Sequence, residues 1–199
     1  MLVRTLRSSM LALVVAACGD STEHPDLSAL DARTFTTADG SATTLNAVRG
    51  EQATLFLTLD PECPMTLGYV PLFDSMQQVL PAGLLMVGFY PAPFIVADSV
   101  RRFAEAHDLR FTQLMDADCR LANALHAHVT PEAFLVDAEG TVIYRGAIDD
   151  SAVREGRTRT ASKHYLMDAL SAFGKVIPQP VKEVAALGCI VECDGSAQP

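Results

Sequence analysis

The chain of 199 residues contains no tryptophan, and aromatic residues make up only 7% of it. Basic residues are also few. There are 15 of them against 24 acidic residues, which gives the chain a net charge of −9. A protein that binds a nucleic-acid backbone needs a positively charged surface, and one that binds single-stranded bases needs exposed aromatic side chains to stack on them. This chain is poor in both, so we expect no nucleic-acid partner. Five cysteines are too few for a small domain stapled by disulfides. The 49% of apolar residues suffices for one domain with a core of its own.

The N-terminus has the pattern of an export signal. Arg4 and Arg7 precede an apolar run over residues 10–17 that is about half as long as the roughly 20 residues of a membrane-spanning helix. The small residues that end at Cys18 resemble a bacterial lipobox, which implies cleavage before Cys18 and attachment of lipid to its thiol. We therefore predict a lipoprotein signal peptide over residues 1–17 and a lipid-anchored protein on the periplasmic side of the cell envelope. A plain secretory signal, in which Cys18 has no role, is the alternative.

The rest of the chain divides into a polar linker, one folded domain and a tail. We assign residues 18–32 to the linker, 33–174 to the domain and 175–199 to a flexible tail that contains cysteines. The domain pattern predicts a hairpin at residues 39–40, strands at 53–59, 84–90 and 111–115, helices at 64–80, 96–107, 119–126 and 160–173, and a second hairpin over 133–145. Alternation of strands and helices favours an α/β fold with parallel central strands and an antiparallel edge pair.

Cys63 stands where the most apolar strand ends and the next helix begins. Pro61 and Pro64 flank it, and Pro64 suits the first turn of a helix, where no amide partner is lost. The amides at a helix N-terminus stabilise a thiolate, which is the reactive form of cysteine. The negative charges of Asp60 and Glu62 oppose this effect. We expect an exposed sulfur that ionises, and the alternative is a buried and inert cysteine.

Three features in combination resemble a known family. Cys63 follows a buried strand, Thr130-Pro131 precedes the strand at 133–137, and Gly188-Cys189-Ile190 comes late in the chain. The chain resembles the thioredoxin-fold redoxins, a broad family that includes the TlpA-like and AhpC/TSA proteins. The resemblance implies a three-layer sandwich, in which helices flank a central mixed β-sheet. It also implies a cis bond before Pro131 and, beside that bond, a groove that holds an extended substrate against the reactive sulfur.

The chain departs from the family's active-site patterns. A thioredoxin site needs Cys-x-x-Cys, whereas Thr66 occupies the second cysteine position here. A peroxiredoxin site resembles Pro-x-x-x-Thr-x-x-Cys, and Phe56 and Asp60 stand in place of its proline and threonine. A copper-handling protein of the Sco type would need a cysteine at Leu67. The residues therefore leave open whether the substrate is a disulfide or a peroxide.

Without a cysteine at position 66, a second thiol must resolve a disulfide or sulfenic acid of Cys63. Cys189 is the favoured resolving residue. Cys193 could instead pair with Cys189 as a local clip, and Cys119 could either join a disulfide or be a small buried hydrophobe. The remaining possibility is an external thiol that completes a cycle with one cysteine. Sequence alone does not choose among these pairings.

Three further residues complete the candidate site. Thr66 and Thr130 could hydrogen-bond the sulfur, and the family's sheet brings Arg145 near enough to be its cationic partner. The scattered histidines predict no metal site, and we expect no cofactor. The favoured function is a thiol-disulfide oxidoreductase of redoxin type, which acts on protein thiols and disulfides or on peroxide and is recycled by an external thiol reductant. The alternative is a non-catalytic binding or assembly module whose cysteines form static disulfides.

Overall fold

A computed structural model describes residues 27–154, 157–173 and 182–193. The predicted signal peptide and Cys18 lie outside these ranges. The strands are β1 Thr34–Thr37, β2 Ala42–Thr44, β3 Ala53–Thr58, β4 Leu84–Pro91, β5 Thr112–Asp116, β6 Val129–Thr130, β7 Glu132–Asp137, β8 Val142–Gly146, β9 Ala152–Arg154, β10 Arg157–Thr158, β11 Lys182–Val184 and β12 Cys189–Ile190. The helices are α1 Pro64–Val79, α2 Ala97–Ala106, α3 Arg120–Leu125 and α4 Tyr165–Ala172, with short 3-10 turns at Ser28–Leu30 and Asn46–Val48.

Eight strands form one mixed sheet in the order β11-β8-β7-β3-β4-β5-β1-β2. Strands β3, β4 and β5 run parallel to one another, whereas β7 is antiparallel to both β3 and β8. The carboxyl ends of the parallel strands meet at one edge of the sheet, so the loops that follow β3 and β4 lie at the same end. The predicted mixed central sheet is confirmed.

The core lies on both faces of the sheet. Every residue of β3 is buried, as expected of a central strand with layers above and below it. Leu55 and Leu57 belong to one hydrophobic cluster and Phe56 to the other, because successive side chains of a strand point to opposite faces. Helices α1, α2 and α4 contribute to the first cluster and α3 to the second. The molecule therefore has the three layers that the resemblance implied.

Three segments differ from the sequence-based expectation. The last helix begins at Tyr165 rather than at residue 160, because the residues before it follow strand β10 in a loop. Leu27 is fully buried in the second cluster, so the described end of the segment assigned to the linker packs against the domain. The tail is built into the fold where it is described, because β11 extends the sheet beside β8 and β12 pairs with β6. The prediction of a flexible tail is therefore wrong for residues 182–193. Among the described residues, no helix is long and apolar enough to cross a bilayer.

Candidate active site

Cys63 caps the start of α1, and its sulfur is bonded to the sulfur of Cys189. The backbone N–H of Cys63 donates to the carbonyl oxygen of Asp60 at 3.2 Å, which closes the turn between β3 and the helix. Pro64 is the first helical residue and has no amide to leave unpaired. The expected exposed sulfur is wrong for this oxidised form, because Cys63 is 2% exposed with the Cys189 segment bonded to it.

The tail reaches Cys63 by strand pairing. Strand β12 lies antiparallel to β6 and places Cys189 opposite Thr130 and Ile190 opposite Val129. The pairing continues by one hydrogen bond, in which the Val191 N–H donates to the carbonyl of His128 at 3.0 Å. Backbone bonds thus set the register that presents Cys189 to Cys63, and a short strand with so distant a partner leaves little local signal in the sequence.

Thr130 contacts both sides of the site. Its carbonyl oxygen lies 3.3 Å from the Cys63 sulfur, and its peptide bond to Pro131 is cis, as the resemblance implied. Its hydroxyl is 3.0 Å from the hydroxyl of Thr66, and both threonines are buried. The sequence suggested that both threonines could hydrogen-bond the sulfur. The structure instead pairs the two hydroxyls and brings the backbone of Thr130 to the sulfur.

Arg145, expected from the sequence as a cationic partner for Cys63, is paired with a carboxylate of the tail in this oxidised form. It lies on β8 opposite Phe134, and its guanidinium forms an ion pair with Glu183 at 3.0 Å. Glu183 belongs to β11, whose pairing with β8 the sequence did not indicate. The ion pair therefore ties the tail to the sheet edge. Pro61 lies, half-buried, in the turn before Cys63.

Two buried polar residues that the sequence analysis missed support the loop opposite Cys63. The hydroxyl of Thr58 donates to the carbonyl of Val129 at 2.7 Å and accepts the N–H of Glu132 at 2.7 Å, which joins the end of β3 to β6 and β7. The carboxylate of Glu132 accepts the N–H of His128 at 3.1 Å. Burial raises the pKa of Glu132, and backbone hydrogen bonds oppose that shift. The available signal in the sequence was the presence of two polar residues, a threonine and a glutamate, among the apolar residues of predicted strands.

A second disulfide joins Cys119 to Cys193 on the other face of the sheet. Cys119 is 1% exposed and packs in the second hydrophobic cluster, directly before α3. The suggested clip between Cys189 and Cys193 is absent, because each of these residues bonds a different partner.

The start of α3 is held by a buried carboxylate. One oxygen of Asp116 accepts the N–H of Leu121 at 3.0 Å, and the other accepts the N–H of Ala122 at 2.8 Å. Burial raises the pKa of Asp116 to about 6, although these two hydrogen bonds act in the opposite direction. Within the described ranges, no group of three or more side chains could hold a metal ion.

The model of the AhpC/TSA family matches residues 22–145, which is more than half of the chain. This chain belongs to the AhpC/TSA family. The match includes Cys63, Cys119 and Pro131 and ends before the tail that carries Cys189 and Cys193. A search of curated proteins gave no match.

Solved structures share the fold of this redoxin. A hypothetical protein from Sinorhizobium meliloti is 24% identical with a TM-score of 0.66, over 79% of this chain and 88% of that one. An uncharacterized conserved protein from Geobacillus kaustophilus is 24% identical with a TM-score of 0.67, over 84% and 92%. A secreted disulfide oxidoreductase from Mycobacterium tuberculosis, described as homologous to E. coli DsbE, is 18% identical with a TM-score of 0.54, over 73% and 98%. These similarities establish a thioredoxin-like fold.

Proposed function

We propose that this AhpC/TSA-family protein is an exported, lipid-anchored thiol-disulfide oxidoreductase. Cys63 is the nucleophile and Cys189 the resolving cysteine. The observation that carries the proposal is the bond between a cysteine at the start of α1 and a cysteine of a strand paired beside it. Cys63 thus has both a helix N-terminus that favours its thiolate and a second sulfur within bonding distance.

The reaction needs only the two thiols and a substrate disulfide. The Cys63 thiolate attacks one substrate sulfur, a bond between Cys63 and that sulfur forms, and the substrate disulfide breaks with release of its other sulfur as a thiolate. The Cys189 thiolate then attacks Cys63, which forms the Cys63–Cys189 disulfide and releases the reduced substrate. The protein loses two electrons and the substrate gains two. An external thiol reductant returns the protein to its dithiol form.

The supporting residues hold the loop that faces Cys63. The hydroxyls of Thr66 and Thr130 bind each other and fix the carbonyl of Thr130 beside the sulfur. Pro61 and Pro64 shape the turn that presents Cys63, and Pro131 adjoins the groove. Arg145 acts at a distance, since its ion pair with Glu183 holds the tail in the sheet.

Peroxide reduction is the second candidate reaction, and the family match favours it. The Cys63 thiolate would attack one oxygen of a peroxide, break the O–O bond and leave a sulfenic acid and an alcohol or water. Attack by Cys189 on the sulfenic sulfur would then release water and form the same disulfide. Phe56 and Asp60 stand where the family's standard proline and threonine are found, so we rank disulfide exchange first.

A non-catalytic module is the remaining candidate, and the disulfide between Cys119 and Cys193 favours it. That bond starts from a buried cysteine in a packed core, as static disulfides often do. The candidate requires the bond between Cys63 and Cys189 to be equally inert.

Export and lipidation complete the proposal. A signal peptide over residues 1–17 would deliver Cys18 for lipid attachment on the periplasmic side, with the part of the linker that precedes the buried Leu27 as the tether. The redox domain would follow over 33–174, and residues 182–193 of the tail pack back against it. An oxidising compartment lets two disulfides persist. Mass measurement of the mature N-terminus tests this part, and an unmodified Cys18 would exclude the lipid anchor.

The reactivity of the reduced protein tests the enzymatic proposal. After full reduction, a mass-labelled thiol reagent is applied briefly at mildly acidic pH, where only stabilised thiolates react quickly. We expect Cys63 to be labelled well before Cys119, and glutathione disulfide then to restore the bond to Cys189. If Cys63 reacts no faster than Cys119, the nucleophile is misassigned and the non-catalytic module is favoured.

A further inference from the structure

Gly188 lies at the closest approach between the tail and the loop that faces Cys63. A Cβ atom at this position would lie 2.7 Å from the carbonyl carbon of Thr130 and 3.2 Å from its nitrogen, with the carbonyl oxygen closer still. All three atoms belong to backbone, which cannot turn aside as a flexible side chain could. Any residue with a side chain would therefore push the tail away from β6.

The obstructing residue is also the one that holds Cys189 in register. Thr130 is the strand partner of Cys189 and carries the carbonyl oxygen 3.3 Å from the Cys63 sulfur. Its hydroxyl is paired with Thr66, and its neighbour Val129 is bonded to Thr58. The loop is fixed from both sides, so a displacement at Gly188 must be taken up by the incoming strand. That displacement would move the sulfur of Cys189 away from Cys63.

We propose that the edge of β6, where β12 lies in this structure, also binds an extended peptide in which glycine immediately precedes the reacting cysteine. The tail of this chain contains the same dipeptide, Gly188-Cys189. Gly188 is thus a positioning residue for resolution, and the same clash excludes cysteines that follow a residue with a side chain. The substrate class is an unfolded or extended glycine-cysteine segment, which adds one strand antiparallel to β6. This inference rests on Cys63 as the nucleophile.

The first experiment measures the tail itself. Full-length protein, Gly188→Ala and the matched control Gly68→Ala are equilibrated in glutathione buffers of graded potential, and the fraction of the Cys63–Cys189 disulfide is read by differential alkylation and peptide mapping. Gly68 is the control because a Cβ there would meet nothing within 4 Å, and alanine suits its helical position. An overpacked backbone contact should lower the equilibrium constant for Cys63–Cys189 formation about tenfold or more in Gly188→Ala, with Gly68→Ala unchanged.

The second experiment supplies the segment from outside. The double variant Gly188→Ala/Cys189→Ser has no resolving thiol and a weakened tail, so the groove is open to a competitor. A peptide with the sequence of residues 186–192 is presented as its disulfide with glutathione, beside the same peptide with alanine in place of the glycine. The Cys63 thiolate attacks the peptide sulfur, the new Cys63–peptide bond forms, and glutathione leaves as a thiolate that takes a proton from water. The intact mass reports the adduct, and mapping locates it on Cys63.

The outcomes separate the two levels of the proposal. We expect the glycine peptide to form its adduct about tenfold faster than the alanine peptide. Equal and rapid rates for the two peptides, with unchanged Cys63–Cys189 formation in Gly188→Ala, would overturn the glycine requirement and leave Cys63 as a nucleophile. If neither peptide reacts faster with the protein than with free cysteine, both the inference and the proposed function fail.

Discussion

The two disulfides are built alike, and their difference lies in the helix that follows each buried cysteine. Cys63 and Cys119 both cap a helix, both are almost fully buried, and both bond a cysteine of the tail. Burial and position in the chain therefore do not separate a redox couple from a structural bridge. The two disulfides must instead be distinguished by how well each helix N-terminus stabilises the thiolate of its cysteine.

At α3 the helix N-terminus is already occupied. The carboxylate of Asp116 accepts the amides of Leu121 and Ala122, and α3 is only six residues long. A thiolate at Cys119 would meet a second negative charge and find those donors taken. The reduced form of this pair gains little stabilisation, and the bond should resist reduction.

At α1 the helix N-terminus is open to a thiolate. Within the described residues, no side-chain hydrogen bond caps α1, which is 16 residues long and has no acidic residue in its first turn. The nearby carboxylate of Asp60 accepts the N–H of Glu62 in the preceding turn instead. We expect the helix dipole to stabilise a Cys63 thiolate against the opposing charges of Asp60 and Glu62, and therefore expect this disulfide to be the easier one to open.

Loop length contributes little to the contrast. The two disulfides join residues separated by 126 and 74 positions. In the chain-entropy model, loops of these lengths differ in their stabilisation by only about 0.5 kcal/mol. The comparison therefore depends on local chemistry.

The largest expected difference is between the exchange rates of two variants, each of which lacks the cysteine that precedes a helix. Cys63→Ser should lower the rate of disulfide exchange with a model substrate by at least about 10³-fold, because it removes the proposed nucleophile. Cys119→Ser should keep the rate within about tenfold of the unaltered protein, as expected of a cysteine that only holds the tail. Stopped-flow measurement of exchange reads both variants. A comparable loss in Cys119→Ser would break the proposed division of roles.

Deletion of each bridge should cost a similar amount of stability. Cys119→Ser/Cys193→Ser should lose about 2–4 kcal/mol of unfolding free energy. Cys63→Ser/Cys189→Ser should lose an amount within about 1 kcal/mol of that value, since the loops are of similar length. Urea unfolding under oxidising conditions measures both pairs. A loss confined to one pair would mean that local packing, rather than the cross-link, sets the stability.

Asp116 predicts a pH effect on stability in the Cys119 region. Its pKa is raised to about 6 in the folded protein, above the ordinary value of 3.8, so the folded state binds the proton more tightly. This group therefore adds stability below about pH 4 that is lost as the pH rises to about 6, by about 1–3 kcal/mol in all. Asp116→Asn should remove this component. The difference between urea midpoints at pH 4.5 and pH 7.5, compared between the two proteins, tests it, and identical pH dependence would contradict the buried charge.

The smallest expected effect is on the rate at which the tail, held by the Cys119–Cys193 disulfide, returns Cys189 to Cys63. With Cys193 bonded to Cys119, Cys189 is held four residues from an anchor and cannot diffuse far from Cys63. In Cys119→Ser/Cys193→Ser, glutathione disulfide should restore the Cys63–Cys189 bond several-fold to about tenfold more slowly, because the effective concentration of Cys189 falls. Quenched-flow alkylation gives the rate. An unchanged rate would show that pairing of β12 with β6 suffices to hold the tail.

The sequence predicted the elements whose causes are local. An apolar run followed by Cys63 and Pro64 indicates a buried strand and a helix start, because burial and the missing amide of proline act within a few residues. The pairing of Cys189 with Cys63 could not be derived in the same way. It depends on a two-residue strand and on the backbone of Thr130, which lies 59 residues earlier in the chain. The ion pair of Arg145 with Glu183 could not be derived for the same reason, since Glu183 reaches Arg145 only through a distant edge strand.

The reduction potentials of the two disulfides test the central claim most directly. The protein is equilibrated in thiol buffers of graded potential, each cysteine is alkylated, and peptide mapping gives the fraction of each bond that remains. We predict that the Cys63–Cys189 bond opens at a potential at least about 60 mV higher, a hundredfold difference in equilibrium constant, and that the Cys119–Cys193 bond stays closed to below about −300 mV. Opening of both bonds at one potential, or of Cys119–Cys193 first, would contradict the account.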